Sequence, residues 1–326
     1  MVAKSVKRVV CGLALLGLAG TACAQAPAFP VRTIRIVVPF LAGGASDGVG
    51  RLVSTRLPEL VQQQVIIDNR AGAGGTIGAE LVARAAPDGY TLLLGNIGVI
   101  SVAPSVFSRL SYDPVKDFAP ISNLVAGPNF VLAHPALPAR NIKELIALAK
   151  ARPGELNFAS AGPGQVSHIS GELFKMMTGV NITFVFYKGQ AAYVPELVGG
   201  HIPLTFSTIP EMLPFVQSGK LRALAVTSAR RIKVAADVPT MDESGVPGYE
   251  VLNWNGILAP ANTPRDVITR LHRDITRIMQ NPDLQKLVES QGNFVVADTP
   301  AEFGEFIRRE TEKWSKVMKN AGVKLD

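Results

Sequence analysis

Gly44-Ala45-Ser46-Asp47-Gly48 sets a serine hydroxyl among glycines at the point where an apolar strand gives way to a helix. Two chemistries use such a corner. A nucleophile elbow exposes the serine for acyl transfer. A glycine turn at a helix start instead aims several N–H groups, and the positive end of the helix dipole, at an anion. The first chemistry needs a base, and the histidines are His134, His168, His201 and His272. None stands in triad context, and Ser46 follows the first strand, so no oxyanion loop precedes it. Ser46 is therefore read as the helix N-cap or as a hydroxyl for a ligand. An exported serine hydrolase using Ser46 is the alternative.

Two more glycine turns follow apolar strands. Gly72-x-Gly74-Gly75-x-x-Gly78 lacks the spacing of a dinucleotide fingerprint and is read as a tight structural turn. Ser160-Ala161-Gly162-Pro163-Gly164-Gln165 precedes a helix starting near Ser167, about 115 residues after the first corner, and looks like its equivalent in a second half. His168, just inside that helix, suits a structural hydrogen bond better than catalysis. Tyr187, in Tyr187-Lys188-Gly189, either orders a loop or faces a cleft. Glu196, His201 and Glu211 read as separate surface residues; neither the histidines nor the carboxylates have metal spacing, and no cofactor is expected.

The elements that must hold these corners alternate along the chain. Apolar runs predict strands near 34–40, 65–69, 90–95, 121–133, 156–160, 182–187, 202–207, 221–227 and 251–259. Helical spacing predicts helices near 47–61, 76–86, 141–151, 167–178, 190–199, 210–218, 264–279, 282–290 and 300–319. Pro58 is expected to kink the first helix while sparing its start. Alternation at this pitch predicts α/β architecture with parallel sheets, whose ligands sit at strand carboxyl ends. The stripe Phe303, Phe306, Ile307, Trp314, Val317 and Met318 reads as core.

Residues 1–24 read as a cleaved export signal: Lys4, Lys7 and Arg8, then Cys11 to Leu18, then Ala22-Cys23-Ala24. Gly20 stands where a lipoprotein signal wants a branched apolar residue, so lipid anchoring at Cys23 is the lesser reading. Cleavage removes Cys11 and Cys23, and with them disulfides and thiolate chemistry. The mature balance is 30 basic residues against 26 acidic, a net +4 in place of the formal +7. No basic cluster interleaved with aromatics supports nucleic-acid binding. About 300 residues predict two domains.

Taken together, VPFLAGGASD (38–47), NRAGAGGTIGAELVARAAPDGYTLLLG (69–95), SYDPVKDFAPIS (111–122), ELNFASAGPGQVSHISGELFK (155–175), YKG (187–189), SGKLRALAVTSARR (218–231), DVPTMDESGVPGYE (237–250) and WNGILAPANTP (254–264) resemble the Bug or TctC-like periplasmic solute receptors of tripartite tricarboxylate transporters. The resemblance implies a type II-like two-domain periplasmic-binding-protein fold, with domain 1 at 28–126 plus 251–326 and domain 2 at 127–250. It implies a monomeric receptor that binds a small carboxylated solute and delivers it to membrane permease subunits; signalling to a membrane sensor is a further alternative. The ligand-binding residues it nominates are Phe40, Ala42, Gly43, Gly44, Ala45, Ser46, Asp47 and Asn96 from the first half. From the second it nominates Ser160, Ala161, Gly162, Gly164, Ser167, His168, Tyr187 and Ser207. These loops would hold a carboxylate without an arginine clamp, partly through ordered waters.

Departures from the family pattern bear on the solute. Ser207 stands where relatives carry an acid, which argues against an amino acid. Gly98, Val99, Ile100 and Ala103 replace a polar set beside Asn96, predicting an apolar wall for a hydrocarbon or aromatic body. Gln165 and Val166 replace smaller residues in the second corner.

Overall fold

Ile34, Ile36 and Val38 point to one face of the first strand and Val37 to the other, and all four are fully buried. A strand covered on both faces reads as an unbroken apolar run, as this one does. The computed structural model describes residues 29–325, so the export signal and both cysteines lie outside the described residues.

The strands are β1 (Ile34–Val38), β2 (Val65–Asn69), β3 (Thr91–Asn96), β4 (Phe118–Ala133), β5 (Asn157–Ser160), β6 (Thr183–Phe186), β7 (Leu204–Thr208), β8 (Arg222–Val226), β9 (Leu252–Pro260) and β10 (Phe294–Val295). The helices begin with α1 (Ala45–Ser54), α2 (Leu57–Val61), α3 (Thr76–Ala83), α4 (Ala103–Val106) and α5 (Ile142–Ala151). They continue with α6 (Val166–Thr178), α7 (Gln190–Val198), α8 (Ile209–Gln217), α9 (Arg265–Met279), α10 (Pro282–Ser290) and α11 (Pro300–Ala321). The helix expected over 47–61 is two helices. Its break falls at Thr55 and Arg56, because Pro58 takes the second position of α2, where its missing N–H costs nothing.

The strands form one sheet in the order β2-β1-β3-β9-β4-β7-β5-β6, with β8 and β10 also bonded to β4. The parallel expectation holds at the two ends, where β1 pairs with β2 and β3, and β5 with β6 and β7. It fails in the middle: β9 is antiparallel to β3 and β4, and β4 is antiparallel to β7 and β8. Long β4 pairs with β9 up to Pro128 and with β7 and β8 from Asn129 onward, so it belongs to both ends of the sheet. The α11 stripe is core, as expected, with Phe303 and Trp314 fully buried.

Two sites give stability predictions. A Cβ at Gly256 of β9 would stand 2.3 Å from the Phe303 ring and 2.9 Å from the Ser122 carbonyl oxygen. The ring can turn, but the backbone oxygen cannot. Gly256→Ala is expected to cost about 1–3 kcal/mol in urea unfolding; an unchanged midpoint would contradict the packing described.

Asp298, ahead of α11, accepts the Asn123 N–H at 2.7 Å, while Ser122 Oγ donates to its main-chain oxygen at 2.8 Å. Burial pushes its carboxyl up to about 6; the Asn123 N–H opposes this, and the nearby Glu302 charge adds to it. The folded state thus holds this proton more tightly than the unfolded chain, whose value is 3.8. That stabilisation is complete below pH 3.8 and is lost as pH rises through about 6. Asp298→Asn, which keeps the acceptor, is expected to gain about 1 kcal/mol at neutral pH after allowance for solvent screening, and nothing at pH 3.5. Equal gains at both pH values in urea unfolding would refute this.

Candidate functional site

The first corner is closed by its own acid. Asp47, in the first turn of α1, is buried at 2 % exposure. Its Oδ2 accepts the Gly43 N–H at 2.9 Å and Arg51 Nε at 2.8 Å, and its Oδ1 accepts Asn69 Nδ2 at 3.1 Å. Asn69 Nδ2 also donates to the Phe40 carbonyl at 3.0 Å, tying the end of β2 to the loop. The Arg51 hydrogen bond chiefly holds the Asp47 carboxyl below its ordinary range; burial opposes it, and Gly43 and Asn69 reinforce it. Arg51 also neutralises the charge, so a second anion can approach the helix start without facing a bare carboxylate.

Gly43, at φ +85°, takes the left-handed conformation that the turn requires. The N-cap is Gly44, not Ser46, and it has no side-chain cap. Ser46 stands two positions further in and donates its hydroxyl to Asn255 Oδ1 at 2.7 Å. The main-chain N–H groups of Ala45 and Ser46 lie in the first helical turn, where no intrahelical acceptor exists.

The second corner is self-satisfied to a greater degree. Ser160 Oγ and Ser167 Oγ share a hydrogen bond at 3.0 Å, and Ser167 Oγ accepts the Ala161 N–H at 3.0 Å. Gly162 N–H donates to Ser160 Oγ at 3.3 Å, and Gly164 N–H to His168 Nδ1 at 3.0 Å. The glycine turn is therefore bound to its own side chains. What it leaves for a ligand is the start of α6, the N–H groups of Val166 and Ser167.

His168 is buried between the rings of Phe184 and Phe186, with Nε2 3.6 Å from Glu172. Because Nδ1 accepts a main-chain N–H, the neutral ring carries its proton on Nε2. Burial pushes the Glu172 carboxyl up, but hydrogen bonds from His168 and Lys175 outweigh it and leave it lowered.

A cleft of about 770 Å³ joins the two corners. Of the nominated residues, Phe40, Ala42, Gly43, Gly44, Ala45, Ser46, Asn96, Ala161, Gly164, Ser167 and Ser207 line it. Asp47, Ser160, Gly162, His168 and Tyr187 lie behind its surface; Tyr187 sits edge-on to Tyr193, 6.1 Å between centroids. The expected apolar wall is smaller than its sequence, because Val99, Ile100 and Ala103 turn into the core and leave Ile97 and Gly98 on the cleft. Gln165 and Val166 do line it.

Asn96 ends β3 directly opposite Asn255 in the β3–β9 pairing, and its Oδ1 caps the π-helical turn Ile97–Val102 by accepting Val99 N–H at 3.0 Å. Sequence reading missed Asn69, Asn255 and Gln190: the first two stand in the segments 69–95 and 254–264, but the partners that bring them to the site lie far along the chain. It also read the 72–78 turn as structural only, whereas Gly72, Gly74 and Gly75 reach the cleft.

None of the four histidines bonds Ser46: their polar partners are Ala136, Gly164, Glu172, Glu196 and the Asp298 carbonyl. Among the described residues no group of three His, Cys, Asp or Glu side chains could hold a metal, and no helix is long and apolar enough to cross a membrane. A second groove of about 600 Å³ lies off the cleft, beside Leu252, and its charges are largely met by Arg231–Glu243 and Lys233–Glu289 pairs.

The model of the tripartite tricarboxylate transporter family receptor matches residues 49–323. The chain belongs to that family. The receptor is 35 % identical to protein BugT of Bordetella pertussis over 96 % of this chain and 98 % of that one. It matches the solved structure of an R. palustris protein with adipate at TM-score 0.80 and 36 % identity, over 91 % of this chain and 99 % of that one. MatC from Rhodopseudomonas palustris, with bound malate, matches at TM-score 0.77 and 34 % identity, over 89 % and 99 %. The fold is accordingly the two-domain periplasmic-binding-protein fold, and the family is one of solute receptors.

Proposed function

We propose that the receptor binds a small carboxylated solute in this cleft, in the periplasm, and hands it to the permease subunits of a tripartite tricarboxylate-type transporter. One observation carries the reading: two helix starts, α1 and α6, bring first-turn N–H groups to a single cleft that, among the described residues, is lined by no cationic side chain. Four such donors (Ala45, Ser46, Val166 and Ser167), with the Asn96 amide, would surround one carboxylate. Hydrogen bonds to a charged group are worth roughly 1.5–3 kcal/mol each, and micromolar affinity needs about 8 kcal/mol. Three or four suffice when the loops are already fixed, as Asp47 and Ser167 fix them here. The adipate and malate bound by two relatives agree with this chemistry.

The two bodies that close on the solute are 28–126 plus 251–326 and 127–250. The crossing of β4 near Pro128–Asn129, and the step into β9 at Leu252, supply the flexing points. Ser46 does no chemistry in this account: its hydroxyl is committed to an amide rather than to a base.

A thermal-shift screen of mono- and dicarboxylates, aromatic acids included, tests the reading, because a ligand of the folded state alone raises its melting temperature. Ser167→Ala frees the Ala161 N–H and loosens the second corner, and is expected to weaken the best ligand about tenfold. Unchanged affinity in that variant would remove the second corner from the site.

A further inference from the structure

Four asparagines stand at strand ends on the face of the sheet that α1 covers, and three are already engaged. Asn69 Nδ2 donates to Asp47, Asn96 Oδ1 accepts the Val99 N–H, and Asn255 Oδ1 accepts the Ser46 hydroxyl. Asn253 is the fourth. Period-two alternation puts it on the same face of β9 as Asn255, and it lines the cleft. It is half-buried, and among the described residues neither end of its amide has a hydrogen-bond partner or is shut away from solvent. Its cross-strand neighbour, Gly127, brings no side chain, and Asn293 Oδ1, which fills the space of the missing Cβ, forms no hydrogen bond with it.

Position gives this amide its meaning. Asn255 and Asn96 face each other across β9 and β3 beside Ser46, where the carboxylate is proposed to sit. Asn253 lies two residues along the same strand, about 7 Å away at the rise of a β-strand, towards the crossing of β4. An amide offers Nδ2 as a donor and Oδ1 as an acceptor. A solute hydroxyl, which donates and accepts at once, uses both ends. A methylene uses neither and displaces water from the amide without replacing its hydrogen bonds.

We infer that Asn253 is a specificity-determining residue: it makes the receptor favour carboxylates that carry a hydroxyl about 7 Å from the carboxylate over plain hydrocarbon acids of the same length. This rests on the carboxylate reading above.

Calorimetric titration of the mature protein with butanoate, pentanoate and hexanoate, and with the 4-, 5- and 6-hydroxy acids that match them, tests it. At the best-fitting length the hydroxy acid is expected to bind about tenfold tighter than its plain partner. Asn253→Ala is expected to bring that ratio to within about twofold of unity. Asn253→Gln carries the amide one methylene further into the cleft and is expected to move the best fit to a hydroxy acid one carbon shorter. Loosening of the fold alone would not produce that shift, and circular dichroism confirms that both variants fold. Plain acids as tight as hydroxy acids at every length, a ratio unmoved by Asn253→Ala, or a best length unmoved by Asn253→Gln would overturn the inference and leave the carboxylate reading intact. No binding by any of these acids would strike the carboxylate reading itself, and the inference with it.

Discussion

Asp47→Ala is expected to abolish measurable solute binding and to lower the melting temperature by roughly 5 °C. The carboxylate is the knot of the first corner: it receives the Gly43 main chain, Asn69 and Arg51 at once. Removing it strands the Gly43 N–H and half of the Asn69 amide's bonding. Hydrogen bonds to a charged group are worth roughly 1.5–3 kcal/mol each, and water reaching the freed donors returns part of that. Binding suffers more than folding, because residues 39–44 would no longer hold the start of α1 at a fixed angle, and ordering them would draw on the binding energy. The Asp47 carboxyl is lowered from 3.8, so its contribution is present above that pH and lost as pH falls through its own folded value. The stability gap between wild type and Asp47→Ala should therefore narrow below pH 3.8. Asp47→Asn keeps an acceptor for Gly43 and should fall between the two. An Asp47→Ala protein that binds like wild type would show that the corner needs no internal latch.

Trp314→Ala is expected to be the most destabilising substitution considered, at about 3–5 kcal/mol. The indole is fully buried on α11, and its Nε1 donates to Glu310 Oε2 at 2.9 Å. Truncation opens a cavity and leaves a buried Glu310 with Lys313, at 3.1 Å, as its remaining partner. Because α11 packs against both β4 and α6, the loss reaches both halves of the molecule. Trp314→Phe, which fills most of the space but lacks the N–H, should cost less than half as much. Chemical denaturation of the two variants separates the terms, and equal losses would mean that the hydrogen bond, not the volume, dominates.

The strands and helices were legible because burial writes itself into the chain as a period: β1 to β3 and β5 to β9 lie within two residues of the apolar runs. Strand direction left no such mark. An apolar run such as that of β4 reads the same whichever way its neighbours go, so the antiparallel centre of the sheet stayed hidden. The π-helical turn at Ile97–Val102 was equally silent; its apolar residues suggested a cleft wall where most of them pack inward. At the site, the glycine corners announced themselves because their conformations demand particular residues. Which of their N–H groups remain free depends on partners such as Asn69 and His168, and Ser46 finds Asn255 from 209 positions away. Contacts at that separation carry no local pattern. They move the proposed cradle from the whole glycine turn to the first turns of two helices.

The decisive measurement is a calorimetric comparison of matched acids and amides, such as hexanoate against hexanamide and benzoate against benzamide, on the mature wild-type protein. Paired main-chain donors at two helix starts should bind the best acid at least a hundredfold tighter than its amide, since removing the charge forfeits both the stronger hydrogen bonds and the dipole attraction. An amide that binds as tightly as its acid would show that the cleft grips something other than negative charge.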